Sequence, residues 1–421
     1  MIIVKQRKGY FASLYLLLIM LTIGIKFPIG NYFSSLSIFI MMVSLIHLFI
    51  ENVLFKFKFN KLFLIRNIYF SLFILFYTLL AVFNQKFYYT PYPFIILFFQ
   101  YTFFFILSNI SNLQIVNVFI KFLLLNMVFY LIQVFGSLVG NLEIVKLSFL
   151  GAEKAGVEYF WFLPRASGLI NEPSHLSYIF LPLCIILLYE KREFYLKKKF
   201  KYFLYLFYLL TFSIISYFQF AVVYLLKFFR QSKIKAAFVF ILLFSIFLIM
   251  SQTPIFSGRI AGINEVLSGE QTLESSVLSI QSNFLIMIES LKTNPFFGGG
   301  ITSHRASYDY YIGDFFPQFT EGGFLGLNQN DGGSLYILML SEMGIIGLVF
   351  YFYSLFKAIG KFKSNLSCNL IGFSFAVSLF FVGLRFGNMA SFYFIFYLMV
   401  VLKEFSVNED SNHLNDLEKT I

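Results

Sequence analysis

The sequence predicts an all-α polytopic membrane protein with about 12 transmembrane helices and two large periplasmic segments. Three observations lead there. Hydrophobic residues make up 59% of the 421-residue chain and charged residues only 13%, whereas a soluble domain carries about 25% charge. The mean hydropathy is +0.78, and the apolar residues come in runs near the ~20 that a helix needs to cross a bilayer. The 62 Phe and 27 Tyr suit a lipid-facing surface edged by aromatic belts.

Taken in order, the runs place helices at about 10–29, 32–50, 67–84, 92–108, 116–138, 173–190, 202–214, 216–229, 236–252, 334–354, 366–384 and 388–403. The first run is long and no small-residue cleavage site follows it, so it reads as a retained helix. Tyr202–Phe229 lies between two basic clusters and reads as two short helices turning near Ser213 and Ser216. With that turn, 23 of the 32 Lys and Arg residues fall on one side and nine on the other. The positive-inside rule makes the richer side the cytoplasm, with both termini there. The net charge of +11 is then a topology signal and a match to anionic lipid heads, not a nucleic-acid footprint.

One transmembrane domain spans about 1–403, with outer segments at about 141–172 and 253–333. The acidic, polar tail 404–421 reads as disordered. In the second outer segment, Val277, Ile280, Phe284, Ile288 and Leu291 recur at helical spacing over Ser276–Lys292, predicting a helix along the outer surface. Cys184 and Cys368 fall in predicted helices without disulfide or metal-ligand spacing. No metal or other cofactor is expected. Walker loop, dinucleotide fingerprint, zincin motif and Gly-x-Ser-x-Gly elbow are all missing from the sequence, so nothing points to ATP-driven transport or serine hydrolysis.

The outer arginines stand apart from the cytoplasmic clusters: Arg165, Arg259, Arg305 and Arg385. Arg165 opens the run Arg-Ala-Ser-Gly-Leu-Ile-Asn-Glu-Pro-Ser-His, ending at His175. Pro173 suits the first position of a helix, and Glu172 before it is pushed out of helical geometry to become the N-cap. An arginine, a flexible Ser167-Gly168 and a helix N-terminus together suit a phosphate, with Ser174 and His175 in the first turn. The second outer segment adds Arg259, the glycine-rich Asn294–Gly300, His304-Arg305 and Asn330-Asp331. Glu342, inside a predicted helix, is an intramembrane charge, which marks a candidate functional position.

In these residues the chain resembles the O-antigen and capsular polysaccharide polymerases of bacterial membranes. The similar segments are Arg165–Ser174, Asn294–Gly300, and Gly332 through Leu340-Ser-Glu-Met-Gly-Ile-Ile-Gly347. The resemblance implies a metal-independent glycosyltransferase of the inner membrane, facing the periplasm. It would polymerise repeat units carried on undecaprenyl diphosphate, alongside a chain-length regulator protein. Arg165, Arg259 and Arg305 would neutralise the leaving diphosphate. Apart from the resemblance, Ser174, His175, Asn330 and Glu342 are candidates for lining the substrate, and Glu172 is the choice of base over Asp331 and His304. An Arg-x10-Gly pattern of some members is missing here, since Glu270 and Phe316 stand at that spacing. The related O-antigen ligases place a histidine where this chain has Asn330-Asp331, which favours polymerase over ligase. A lipid-linked oligosaccharide flippase, the alternative from another class, calls for charges through many helices rather than in two segments.

Overall fold

The computed structural model describes residues 2–23, 25–29, 32–54, 59–84, 91–150, 159–160, 163–170, 173–190, 198–211, 213–232, 254–268, 275–316, 332–364, 366–385 and 388–420, and eight further positions between 234 and 248. Helix dominates. In chain order it runs α1 Ile2–Thr22, the antiparallel pair β1 Lys26–Ile29 and β2 Tyr32–Ser35, α2 Leu36–Leu54, α3 Lys61–Phe83, α4 Pro91–Asn109 and α5 Asn112–Val139. There follow α6 Leu142–Lys146, a second antiparallel pair, β3 Tyr159–Phe160 with β4 Leu163–Pro164, then α7 Pro173–Tyr189, α8 Lys198–Leu209 and α9 Ile214–Gln231. The last group is α10 Pro254–Leu267, α11 Ser275–Thr293, α12 Ser303–Phe315, α13 Leu335–Ser364, α14 Leu366–Arg385 and α15 Phe392–Thr420.

Among the described residues, five helices are long and apolar enough to cross a membrane: α2, α3, α4, α5 and α13. Shorter apolar stretches occupy Gly9–Thr22, Ser174–Tyr189, Ile215–Leu225 and Asn369–Leu384. The expected helix at 236–252 lies mostly outside the described residues.

How the helices bury their side chains is itself evidence for a lipid surround. Helix α2 buries Ser37, Ser44 and Asn52 while exposing Phe39, Met42, Ile46 and Phe49. Helix α3 buries Asn67 and exposes Tyr69, Leu72, Phe76 and Leu79. Water would not tolerate apolar faces of this extent on a soluble protein. In hydrocarbon, where apolar surface gains nothing by burial, polar groups turn inward to find partners. Gln100 accordingly donates from Nε2 to the Asn67 carbonyl and side chain, both at 2.7 Å, and to Ser71 Oγ at 2.9 Å.

The chain forms two compact units, Met1–Lys58 with Thr102–Met250, and Phe59–Tyr101 with Ser251–Ile421, where the sequence reads as one transmembrane domain. Helix packing follows complementary faces rather than chain continuity, so α3 joins helices more than 200 positions later. In the first unit, α1 packs on α2 and α5, and α7 on α8 and α9. Helix α5 starts at a capping box of Ser111 and Gln114 and ends at Gly140, whose φ of 73° closes the last turn. In the second unit, α14 packs between α13 and α15, and α11 packs on α12 and α13.

Two sequence expectations change. The segment expected as one surface helix carries three, α10, α11 and α12. On α11 the apolar residues divide: Ile280 and Phe284 are exposed, while Leu278, Ile286 and Met287 are buried with Ser279, Ser282, Asn283 and Ser290. Helix α15 continues past Glu404 to Thr420, through the tail expected to be disordered, because extending an existing helix needs no new nucleus. The turn between α8 and α9 falls at Leu210–Ser213, as the basic clusters imply. There the Thr211 hydroxyl donates to Ser216 Oγ at 3.0 Å.

Candidate functional site

The candidate residues divide between the two units, and each unit builds its part from buried polar contacts. In the first, the run from Arg165 to Ile170 is buried, although it is loop. Such a loop must satisfy its own backbone groups, and two amide side chains of α5 do so. Asn126 Oδ1 accepts the Leu169 N–H at 3.0 Å, and Gln133 Oε1 accepts the Gly168 N–H at 3.1 Å. Both amides are aimed by their other ends, Asn126 Nδ2 donating to the Phe122 carbonyl and Gln133 Nε2 to that of Val145.

Gly168 has a φ of 56°, and a Cβ there would lie 2.3 Å from Asn126 Oδ1, so the close approach requires glycine. Ser167-Gly168 is therefore a clamped turn, not the flexible one expected. On the other side, the Ala166 N–H donates to the Leu210 carbonyl at 2.8 Å, and Arg165 Nε to the Thr211 carbonyl at 3.1 Å. The α8–α9 turn thus holds the arginine, which is 8% exposed, and Tyr217 of α9 lies within its electrostatic reach. Helix α7 begins at Pro173 as expected, with Ser174 and His175 half-buried in its first turn. Glu172 lies outside the described residues.

In the second unit the site centres on α13, which is broken at Gly344 (φ 66°, ψ −170°). The glycine-rich loop fills the break. Gly299 and Gly300 N–H donate to the Ser341 and Glu342 carbonyls at 3.2 and 2.8 Å. Ile345 and Ile346 N–H donate to the Pro295 and Phe296 carbonyls at 3.0 and 3.1 Å. The chain then enters α12, where Glu342 Oε1 accepts the Thr302 N–H at 2.8 Å and the His304 N–H also faces the carboxyl. A carboxyl oxygen at a helix N-terminus accepts N–H groups that have no partner within the helix. That explains how an acid is tolerated inside a predicted membrane helix. Its Oε2, with Ser341 Oγ, Ser303 Oγ and His304 Nδ1, is buried without a hydrogen-bond partner.

His304 is fully buried. Asn283 Nδ2 donates to the Ser279 carbonyl at 2.6 Å, which turns its Oδ1 toward His304 Nε2 at 2.9 Å. Nε2 must then carry the proton, and the neutral ring keeps its lone pair at Nδ1. Burial pushes the imidazole down from 6.5 to about 4. Because the folded form resists protonation, its stabilisation is complete above the unfolded value of about 6.5 and is lost as pH falls toward 4, by about 3 kcal/mol. Thermal unfolding at pH 4.5 and 7.5 is expected to show this loss, and His304→Gln to reduce it. Equal acid sensitivity in both proteins would assign the effect elsewhere.

Arg305 is paired, its Nε donating to Asp309 Oδ2 at 3.0 Å one turn along α12. Arg259 sits on α10. Asn330 and Asp331 lie outside the described residues. The second unit therefore brings together Glu342 and His304, with Arg305 beside them in sequence but turned to Asp309, while Arg165, Ser174 and His175 belong to the first. Sequence reasoning missed Asn126, Gln133 and Asn283. The signal was present for the first two: amides seven residues apart on an apolar helix lie on one face. No family model matches this sequence, and no curated protein matches it.

Proposed function

We propose that this chain is a glycosyltransferase of the outer face of a bacterial inner membrane, joining undecaprenyl-diphosphate-linked oligosaccharide units into O-antigen or capsular polysaccharide. Besides the motif resemblance, one observation carries the reading: Arg165 is buried and fixed through Nε in the most distinctive motif of the chain. A preset guanidinium in a poorly hydrated site suits a diphosphate leaving group, whose charge grows as the glycosidic bond breaks. In this reading the acceptor hydroxyl oxygen attacks the anomeric carbon of the donor glycan. The bond from that carbon to the diphosphate oxygen breaks, the lipid diphosphate departs with the electron pair, and the hydroxyl proton passes to a base. Glu172 is the proposed base, seven residues after Arg165, with Asp331 and His304 as its competitors. The lone pair at His304 Nδ1 suits a base, but full burial withholds it from a bulky acceptor.

The test is a gene deletion followed by electrophoresis of the surface glycan. The expected mutant keeps single repeat units on the acceptor and loses long chains. Complete loss of attachment would indicate a ligase, and units accumulating inside the cell a flippase; either overturns the polymerase assignment.

A further inference from the structure

The second unit contains an elongated apolar cavity of about 500 Å³, walled by α3, α13 and α15. Along α13 its lining runs from Met339 to Ala358, mostly on the unbroken stretch after Gly344. A cavity of this volume with an apolar lining has room for an acyl chain. Its wall opens sideways at exposed Tyr69, Phe350 and Tyr353.

The charged side chains of the lining lie at one end. Arg66 and Lys357 line the cavity there, and among the described residues no acidic side chain lines it. The Arg66 guanidinium lies 4.5 Å from the Phe405 ring centroid, and its Nη1 donates to Ser406 Oγ at 2.8 Å. Lys361 Nζ lies 4.0 Å from the same ring, and Lys357 Nζ lies 5.8 Å from that of Tyr353. Two basic clusters nearly 300 residues apart in sequence thus meet around one aromatic ring. An apolar slot, open to the side and cationic at one end, is complementary to a lipid with an anionic head.

We propose that this cavity binds an anionic phospholipid, with one acyl chain between α3, α13 and α15 and the phosphate at Lys357 and Arg66. The site does not depend on the transferase reading, because its charged end lies at Arg66 and Lys357, away from the Gly344 break that only its apolar end borders. Native mass spectrometry of the full chain in detergent tests it, with phosphatidylglycerol, phosphatidylcholine, lyso-phosphatidylglycerol and glycerol phosphate titrated separately. Phosphatidylglycerol is expected to bind at least fivefold tighter than phosphatidylcholine. The one-chain lyso form is expected to compete with it, and glycerol phosphate is not. Lys357→Gln is expected to weaken phosphatidylglycerol about fivefold, the equivalent of ~1 kcal/mol per basic residue, and to leave phosphatidylcholine unchanged. Ser354→Phe, which fills the slot, is expected to weaken both lipids. Equal binding of the two lipids, an unaltered preference in Lys357→Gln, or competition by glycerol phosphate alone would overturn the proposal.

Discussion

On the proposed polymerase activity, Arg165→Ala is expected to abolish long-chain polymer without lowering the amount of protein in the membrane. Loss of one charge-stabilising donor costs about 3–4 kcal/mol in the transition state, or 10²–10³ in rate. A reaction repeated for every unit added turns such a loss into single units rather than shorter chains. Arg165→Lys separates charge from geometry. Lysine keeps the positive charge but lacks the planar fork that takes two phosphate oxygens. It also loses the Nε donor that ties Arg165 to the Thr211 carbonyl. The lysine variant is therefore expected to retain little polymer. The measurement is surface-glycan chain length in a deletion strain carrying each variant at matched expression. Normal long chains from the alanine variant would remove Arg165 from the mechanism.

The fold was legible in the sequence where one physical rule acts alone. Long apolar runs located α2 to α5 and α13, and the basic clusters located the α8–α9 turn, because hydrophobic length and lysine placement are properties of single segments. Pro173 marked the start of α7 because a fixed φ and a missing N–H suit a helix only at its first turn. What was not legible depends on partners distant in sequence. Ser167-Gly168 looks flexible by composition, yet Asn126 and Gln133 of α5 immobilise it. The apolar spacing over 276–292 marked α11 as a helix but not which of its faces is covered. The covered face combines Leu278 and Ile286, packed with Tyr308 and Ile312 of α12, with polar contacts of Asn283 to His304 and of Ser290 Oγ to Ser307 Oγ at 3.1 Å. Glu342 was noticed as an intramembrane charge, but its partner is the backbone at the start of α12, which no side-chain pattern announces.

Gly344→Ala is expected to damage the protein more than any other alanine substitution in α13. The backbone at Gly344 has φ 66° and ψ −170°, a region essentially confined to glycine, where other residues lose on the order of 1–3 kcal/mol. Space is lacking as well. A Cβ would stand 2.4 Å from the Phe296 carbonyl oxygen and 2.6 Å from the Gly298 nitrogen, both backbone atoms that no rotamer change can move. The break removes the two intrahelical bonds that Ile345 and Ile346 would make to Ser341 and Glu342. The loop replaces them with four of its own, so expelling it strands donors and acceptors worth about 1–3 kcal/mol each when buried. The loop is held on its far side too, since Ile301 N–H donates to the Tyr77 carbonyl at 3.1 Å and a Cβ on Gly300 would lie 2.3 Å from the Ala81 nitrogen of α3. An alanine at 344 must either push out the loop or straighten the helix, and either change releases the Glu342 contact that starts α12. Gly360, in the same helix with nothing within 4 Å of its added Cβ, is the internal control. Alanine there is expected to be neutral or to stabilise by up to about 1 kcal/mol through helix propensity. Thermal unfolding of both variants in detergent, with limited proteolysis across Thr293–Ser303, measures the difference. The expected result is a strong fall in Tm and new cleavage for Gly344→Ala only. Equal stability of the two variants would mean that α13 runs unbroken through Gly344 and that the glycine-rich loop does not enter it.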